Sequence, residues 1–275
     1  MTDLTIRKAN KSEYTKVTDV FLKSFIPDGV DQSRRERIIQ HIKSVMELNL
    51  TEFTFLELDE ETVGLGGETR FIGSAFIGYI GVIPKYRKKG YGSKVFDVVL
   101  KEAKKYNKTI ELFSNPGADS IYRRFGFREE YLTNIYSLTS SSNDLPTDEI
   151  EVFDTIPKWI FNLDREALKF DRSKLLAFLQ SQLKAEVVGI GTDGFAFCRD
   201  SNIGPVIAKN ATSFQKLIKY LASKEEMRIV LPEFKEKTLE MFSPTKIQTC
   251  IKMYFGEKLK QKLDWIYGFN AFATS

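Results

Sequence analysis

Histidine and cysteine are nearly missing from this chain: His41 alone, and Cys198 and Cys250, in 275 residues. One imidazole excludes a multi-histidine metal site and leaves Ser–His–Asp chemistry a single residue to use. His41 lies in RRERIIQHIKSVMEL beside the helical stripe Ile38, Ile42 and Val45, which predicts a surface or boundary position. Two cysteines exclude a disulfide framework and suit a reducing compartment. No run of about 18 apolar residues is present, so no membrane span is expected. The N-terminal MTDLTIRKANKSEY lacks the apolar core of a secretion signal, and the expected location is cytoplasmic. An excess of either charge is also missing. Lys and Arg number 41 against 37 Asp and Glu, a net +4, too mild to make nucleic acid the first reading. What is there is 42% apolar and 28% charged, an ordinary globular balance, at a length that suits two domains.

The first half alternates strands and helices. Leu4–Ala9 reads as a strand, and Ser12–Phe25 and Ser33–Leu48 as amphipathic helices. EFTFLEL, a stretch around Thr62–Arg70 and FIGSAFIGYIGVI read as strands. Ser93–Tyr106 is a helix with Phe96, Val99, Leu100 and Ala103 on one face. KTIELFS is a strand. Asn115–Phe125 is expected to be a short helix with Asn115 as cap, Pro116 in its first position and Gly126 just past its end. FREEYLTNIYSL is expected to be a strand pair. The polar stretch 139–151, TSSSNDLPTDEIE, reads as a linker. Beyond it the pattern returns more faintly: a helix over Ser173–Leu183, a hairpin in VVGIGTDGFAFCRD and a strand end in NIGPVIAKN. A helix with Phe214, Leu217, Ile218 and Leu221 on one face follows. Then come strand MRIVLPE, helix EKTLEMF and a closing strand IYGFNAFAT. Two domains of one architecture are expected, 1–138 and 152–275.

YIGVIPKYRKKGYGSKVF (79–96) is a strand, a basic turn and a helix start. Such a turn aims backbone N–H groups and the helix dipole at one point. Gly90 and Gly92 permit φ > 0 and let a ligand approach bare backbone. Lys85, Arg87, Lys88, Lys89 and Lys94 add charge, which suits a polyphosphate; a solvated basic tip or an interaction patch is the alternative. Walker A spacing is absent. The other glycine run, VGLGGE (63–68), is followed by no amphipathic helix and reads as a hairpin or strand bend.

Val82 to Gly92, V-x-P-x-Y-R-x-K-G-x-G, resembles the acyl-CoA-binding signature of the GNAT N-acetyltransferase superfamily. Asn115-Pro-Gly-Ala118-Asp-Ser-Ile-Tyr122-Arg-Arg-Phe-Gly126-Phe127 resembles its second signature, and the likeness covers residues 1–138. LDREALKFDRSKLLAFL, IGPVIAKNATSFQKLI and IYGFNAFAT look like the C-terminal GNAT-like domain of two-domain acetyltransferases. The resemblance implies a mixed, mostly antiparallel sheet flanked by helices, in two tandem copies. Acetyl-CoA is implied as co-substrate, with no metal, in the first copy only, since nothing in the second matches R-x-x-G-x-G.

The resemblance also implies roles for residues. Backbone at Ile80, Gly81 and Val82 would pair with the pantetheine arm and face the thioester. Arg87, Lys88, Lys89, Gly90, Tyr91, Gly92 and Ser93 would surround the phosphates, with Asn115 as a further contact. Tyr122 would contact the cofactor and protonate its sulfur; from spacing alone it is ordinary packing with Ala118, Ile121 and Phe125. Ser74–Val82 holds no carboxylate, so Glu68 and Glu57 on neighbouring strands are the nearest candidate bases, and exposed strand positions explain both. The expected reaction is acetyl transfer to a primary amine, of a small molecule or a peptide, by direct attack in a ternary complex. The alternative is an acyl-CoA-binding module without turnover. The acceptor itself is unreadable.

Overall fold

The computed structural model describes residues 3–139, 149–223 and 226–270. The chain packs as two compact units, Met1–Glu111 and Leu112–Ser275. Residues 140–148 of the expected linker and the end of the closing segment past Asn270 lie outside the described residues.

In the first unit β1 (Leu4–Lys8) leads through a 3-10 turn (Lys11–Glu13) to α1 (Tyr14–Phe25) and α2 (Gln32–Glu47). Then come β2 (Thr51–Leu58), β3 (Glu61–Arg70) and β4 (Ala75–Val82). A 3-10 turn (Pro84–Tyr86), α3 (Tyr91–Ala103) and β5 (Thr109–Ser114) follow, the unit ending inside β5. β1 to β4 pair antiparallel in chain order, and β4 pairs β5 in parallel. Val17 and Val20 of α1, Ile42 and Val45 of α2, and Val95, Phe96 and Val99 of α3 are buried, as their helical spacing requires. The VGLGGE run lies within β3, not in a bend: a Cβ on Gly66 would meet Val99 Cγ2 at 2.9 Å and Ile80 Cδ1 at 2.8 Å. Bare backbone there is what lets α3 lie against the sheet.

The second unit contains α4 (Asp119–Arg124), β6 (Arg128–Leu138), β7 (Glu151–Val152), α5 (Lys158–Leu168) and α6 (Ser173–Ser181). The hairpin β8 (Glu186–Ile190) and β9 (Gly194–Arg199) is followed by β10 (Asn202–Ala208) and α7 (Ala211–Ala222). β11 (Met227–Pro232), a 3-10 helix (Glu233–Phe242), β12 (Thr245–Gly256) and β13 (Ile266–Gly268) complete it. Its sheet runs β12-β6-β11-β10-β9-β8-β7, all antiparallel except β10–β11. β6 is one strand rather than the expected pair, and EKTLEMF is a 3-10 helix. The division of packing falls before residue 138 because β6 is laddered to β11 and β12 along its length.

The two halves share a signature that no hairpin count reveals. Each contains one parallel pair, β4–β5 and β10–β11, with a helix crossing over between the two strands. A parallel pair requires such a crossover.

Candidate active site

β4 is not regular. Its ladder with β3 pairs Gly78 with Gly67 and Gly81 with Leu65, so Gly66 alone opposes Tyr79 and Ile80. This is a β-bulge, and Tyr79 adopts φ 57°, left-handed backbone that a bulky side chain resists. Packing holds it there. The Tyr79 ring meets Phe53 and Phe21 edge-on, at 5.0 and 5.8 Å between centroids, and its hydroxyl lies 3.4 Å from His41 Nε2. Burial pushes the Tyr79 phenol pKa well up. The expected boundary position of His41 is half-buried, and it faces the bulge, a neighbour that helical spacing could not reveal.

Beyond the bulge the ladder between β4 and β5 does not continue. It joins Ala75 to Ile110 and Phe76 to Glu111 and stops, so the outer edge of Ile77–Val82 has no ladder partner among the described residues. A strand edge with free N–H and C=O groups pairs readily with another extended chain. Gly81 serves this end of β4 differently: a Cβ there would stand 2.9 Å from Ser24 Cβ, so α1 closes directly over the strand.

At the end of β4 the chain turns. Arg87 Nε donates to the Val82 carbonyl (2.9 Å) and Nη2 to the Ser24 carbonyl (2.6 Å). Its guanidinium therefore ties the turn to the end of α1. Lys88 and Gly90 have φ of 62° and 79°, and Gly90 is the N-cap of α3 without a side-chain cap. Left-handed residues at such spacing turn successive N–H groups to one side, a concavity suited to anions. The N–H groups of Tyr91, Gly92 and Ser93 have no i−4 partner within α3. The space before them is open: a Cβ at Gly90 meets nothing within 4 Å and one at Gly92 meets only Val82 Cγ2, at 3.8 Å. Lys85 pairs with Glu61 (3.0 Å), whereas Lys88, Lys89 and Lys94 make no ion pair among the described residues.

The candidate carboxylates are not the exposed strand residues expected. Glu57 is largely buried and bonds Arg7 (2.9 Å) and Lys16 (2.8 Å). Burial pushes its pKa up, but the hydrogen bonds from Arg7, Lys16 and Thr62 outweigh this and hold it at about 2. Glu68 is 2% exposed, opposite Ile77 of β4, with Oε2 held 2.8 Å from Arg70 Nη2. That contact ties its side chain to Arg70.

Asn115 and Tyr122 belong to the second unit. Asn115 does not cap α4, which starts at Asp119 behind Ala118, and Pro116 lies outside the helix. Its Oδ1 instead accepts from Gln248 Nε2 (2.9 Å) and Cys250 Sγ (3.3 Å), both on β12. Gly126, at φ 90°, follows the end of α4 as expected. Tyr122 is half-buried, its ring 6.4 Å from that of Phe127, and burial pushes its phenol pKa up to about 12.

Within the second unit, the corresponding edge is covered by the unit's own chain. β10 pairs β11 only at Asn202 and Ile203; beyond a bulge, Val206 and Ile207 pair with Gly268 and Ile266 of β13. β13 and the Val230–Phe269 bridge thus close the gap with the protein's own chain. At the helix that follows, Asn210 Oδ1 accepts from Ser213 N–H (2.9 Å), satisfying a donor that a bound anion would need.

Two family models, each described as an acetyltransferase (GNAT) domain, match residues 50–129 and 160–268. No curated protein matches the chain. A putative acetyltransferase from Pyrococcus horikoshii shares 24% identity at TM-score 0.89, over 98% of this chain and 95% of that one. A GCN5-related N-acetyltransferase from Kribbella flavida superposes at TM-score 0.62 with 17% identity, covering 92% of this chain and 71% of its own. A tandem GNAT protein from the clavulanic acid biosynthesis pathway superposes at TM-score 0.56 with 9% identity, over 94% and 100% of the two chains. Both halves repeat one plan, and each half matches the same kind of domain: the chain belongs to the GNAT acetyltransferase superfamily, in its tandem form.

Proposed function

We propose that the protein is an acetyl-CoA-dependent N-acetyltransferase acting on a primary amine, of a small molecule or a peptide, by direct attack in a ternary complex. The observation that carries this reading is the bulged β4 strand, open along one edge, running into the uncapped N-terminus of α3. The open edge from Ile80 to Val82 offers hydrogen bonds to the amides of the pantetheine arm. The N–H groups of Tyr91, Gly92 and Ser93 take the pyrophosphate, with Lys88, Lys89 and Lys94 neutralising its charge. Arg87 is the positioning residue: it holds the turn and α1 together, and so shapes the anion site without needing to touch the phosphates.

Tyr122 is proposed to protonate the departing thiolate. A phenol pKa raised to about 12 keeps the proton in place at every physiological pH, although transfer to a sulfur of pKa about 8.5 is then uphill. The nitrogen lone pair attacks the thioester carbonyl, the C–S bond breaks with the Tyr122 proton passing to the sulfur, the nitrogen's surplus proton leaves to solvent, and the Tyr122 phenolate regains a proton from solvent. An amine of pKa about 10 leaves ~0.1% free base at neutral pH, so activity should rise with pH.

Incubation with acetyl-CoA and a panel of primary amines, with acetylated products read by mass spectrometry, tests the reading. A product about 42 Da heavier than its amine is expected, the mass added when one acetyl group replaces a hydrogen. Tight acetyl-CoA binding without product from any amine or peptide would instead make the protein a receptor.

A further inference from the structure

We propose that the first unit holds a second binding site, for a zwitterionic α-amino acid with an apolar side chain, at the end of β2 and β3 remote from the glycine turn. A cavity of about 350 Å³ opens there, within the range of small-molecule sites. It lies near Arg70, which pairs with Ala75 at the start of β4, whereas the turn follows Val82, paired with Gly64. Six residues of strand separate the two places, roughly 20 Å.

The walls divide by chemistry. Ala9, Met46, Leu50 and Phe53 supply an apolar side. The polar side carries Lys11 and Arg70 against Glu52 and Glu68, two charges of each sign. A lining balanced in this way suits a neutral zwitterion and gives no attraction to the polyanionic CoA. Lys11 donates to the Glu47 carbonyl (3.2 Å) and makes no ion pair among the described residues, so its ammonium is available to a carboxylate.

The decisive feature is an incomplete ion pair. Arg70 and Glu68 touch through one atom each, Nη2 and Oε2, at 2.8 Å. The other two atoms, Glu68 Oε1 and Arg70 Nε, are buried and have no hydrogen-bond partner. Side-on pairing would have satisfied both. A buried carboxylate oxygen and a buried guanidinium N–H left open together are costly, and a ligand presenting a donor beside an acceptor would complete them. An α-amino acid does this: its ammonium donates to Glu68 Oε1, and its carboxylate accepts from Arg70 Nε and Lys11 Nζ. Neither open atom is reached by bulk water, so the Arg70 side chain, one-third exposed, has to shift to admit the ligand.

The site also adjoins the bulge. Gly67, next to Glu68, is the residue against which the Tyr79 ring packs; a Cβ there would stand 2.9 Å from Tyr79 Cδ2. Completion of the Glu68–Arg70 pair would therefore stiffen the strand against which β4 is bent.

The test is calorimetric titration of the full chain with L-leucine, L-methionine, L-glutamate and the uncharged isopentylamide of acetic acid as probes. Binding of L-leucine or L-methionine, unchanged by saturating CoA, is expected, with no binding of the amide. Glu68→Gln should weaken that binding about 10–100-fold, the loss of one charge-assisted hydrogen bond. Ala9→Phe, which fills the cavity and removes no polar group, should abolish it. Unchanged acetyl-CoA binding in Ala9→Phe shows that the first unit is still folded. If no amino acid binds wild type at 10 mM, roughly a thousandfold above common metabolite-site affinities, the cavity holds water only and the proposal fails. Equal binding in wild type and in folded Ala9→Phe would also overturn it. Either failure leaves the acetyl-CoA reading untouched, because that rests on the glycine turn.

Discussion

Gly92→Glu separates the anion site from the fold, because its effects on the two have opposite signs. Gly92 is the second residue of α3, and a Cβ there meets only Val82 Cγ2 at 3.8 Å, so the side chain has room. A carboxylate in the first turn of a helix stabilises it by about 0.3–1 kcal/mol through the dipole, and α3 has no acidic residue there. The same charge lies where the pyrophosphate has to approach the free N–H groups. Two unit charges ~4 Å apart repel by ~4 kcal/mol at an effective dielectric of about 20. Water at this exposed turn reduces that to about 2 kcal/mol or more, a ~30-fold or greater loss of affinity. Gly90→Ala is the counterpart. It adds no charge and meets no neighbour, but holding φ at 79° costs a residue with a Cβ about 1–2 kcal/mol. The melting temperature should fall by roughly 2–8 °C while the folded protein still binds. Calorimetry with acetyl-CoA and a thermal melt of both variants are the assays. Unchanged affinity in Gly92→Glu, with its melt intact, would refute the assignment of the turn.

Tyr122→Phe should leave acetyl-CoA affinity alone and lower kcat by about 10²–10³, with an equal fall in kcat/KM. With the phenol pKa at about 12, the wild-type rate should show no alkaline limb from Tyr122 below pH 10.5; a limb near 9 that vanishes in the variant would contradict the burial argument. Arg87→Ala should destabilise the first unit by about 1–3 kcal/mol and weaken acetyl-CoA binding, and Arg87→Lys should not restore either, since one ammonium cannot reproduce a fork that reaches both Val82 and Ser24. Arg7 bonds both Glu13 and Glu57; the bond from Arg7 holds the Glu13 pKa at about 2, and that of Glu57 is also about 2. Carboxyls depressed in the fold add stability above their unfolded pKa of about 4.5 and lose it as pH falls toward 2, so urea midpoints should drop over that window. Arg7→Gln should flatten that drop and lower the midpoint at pH 7.

The glycine turn was legible in the sequence because its backbone has few other uses: a basic strand end followed by Gly-x-Gly and a helical stripe. The bend in β4 was legible only in outline. Gly78 and Gly81 tolerate a distorted strand, yet the left-handed residue is Tyr79, which propensity argues against and which packing with Phe21, Phe53 and His41 holds in place. Asn115 looked like a cap, but its oxygen is engaged by Gln248, distant in sequence, which no local rule anticipates. The longest miss is β12. Lys252 and Cys250 are buried in it while Ile247 is exposed, and register shifts at Lys246/Gln248 and Lys252/Met253 break the period-two pattern on which recognition of a strand depends. The absence of a second glycine turn was plain from residues 204–210, but the closing of the gap by β13 was not, since three residues of strand carry no signal of where they pair.

A crystal structure of the full chain with acetyl-CoA tests the central claim most directly. One molecule per chain is expected, its pyrophosphate on the N–H groups of Tyr91–Ser93 and its pantetheine arm along the open edge of Ile80–Val82. No cofactor is expected between β10 and β11, where β13 already lies. Acetyl-CoA bound at the second copy, or bound away from the glycine turn, would contradict that claim.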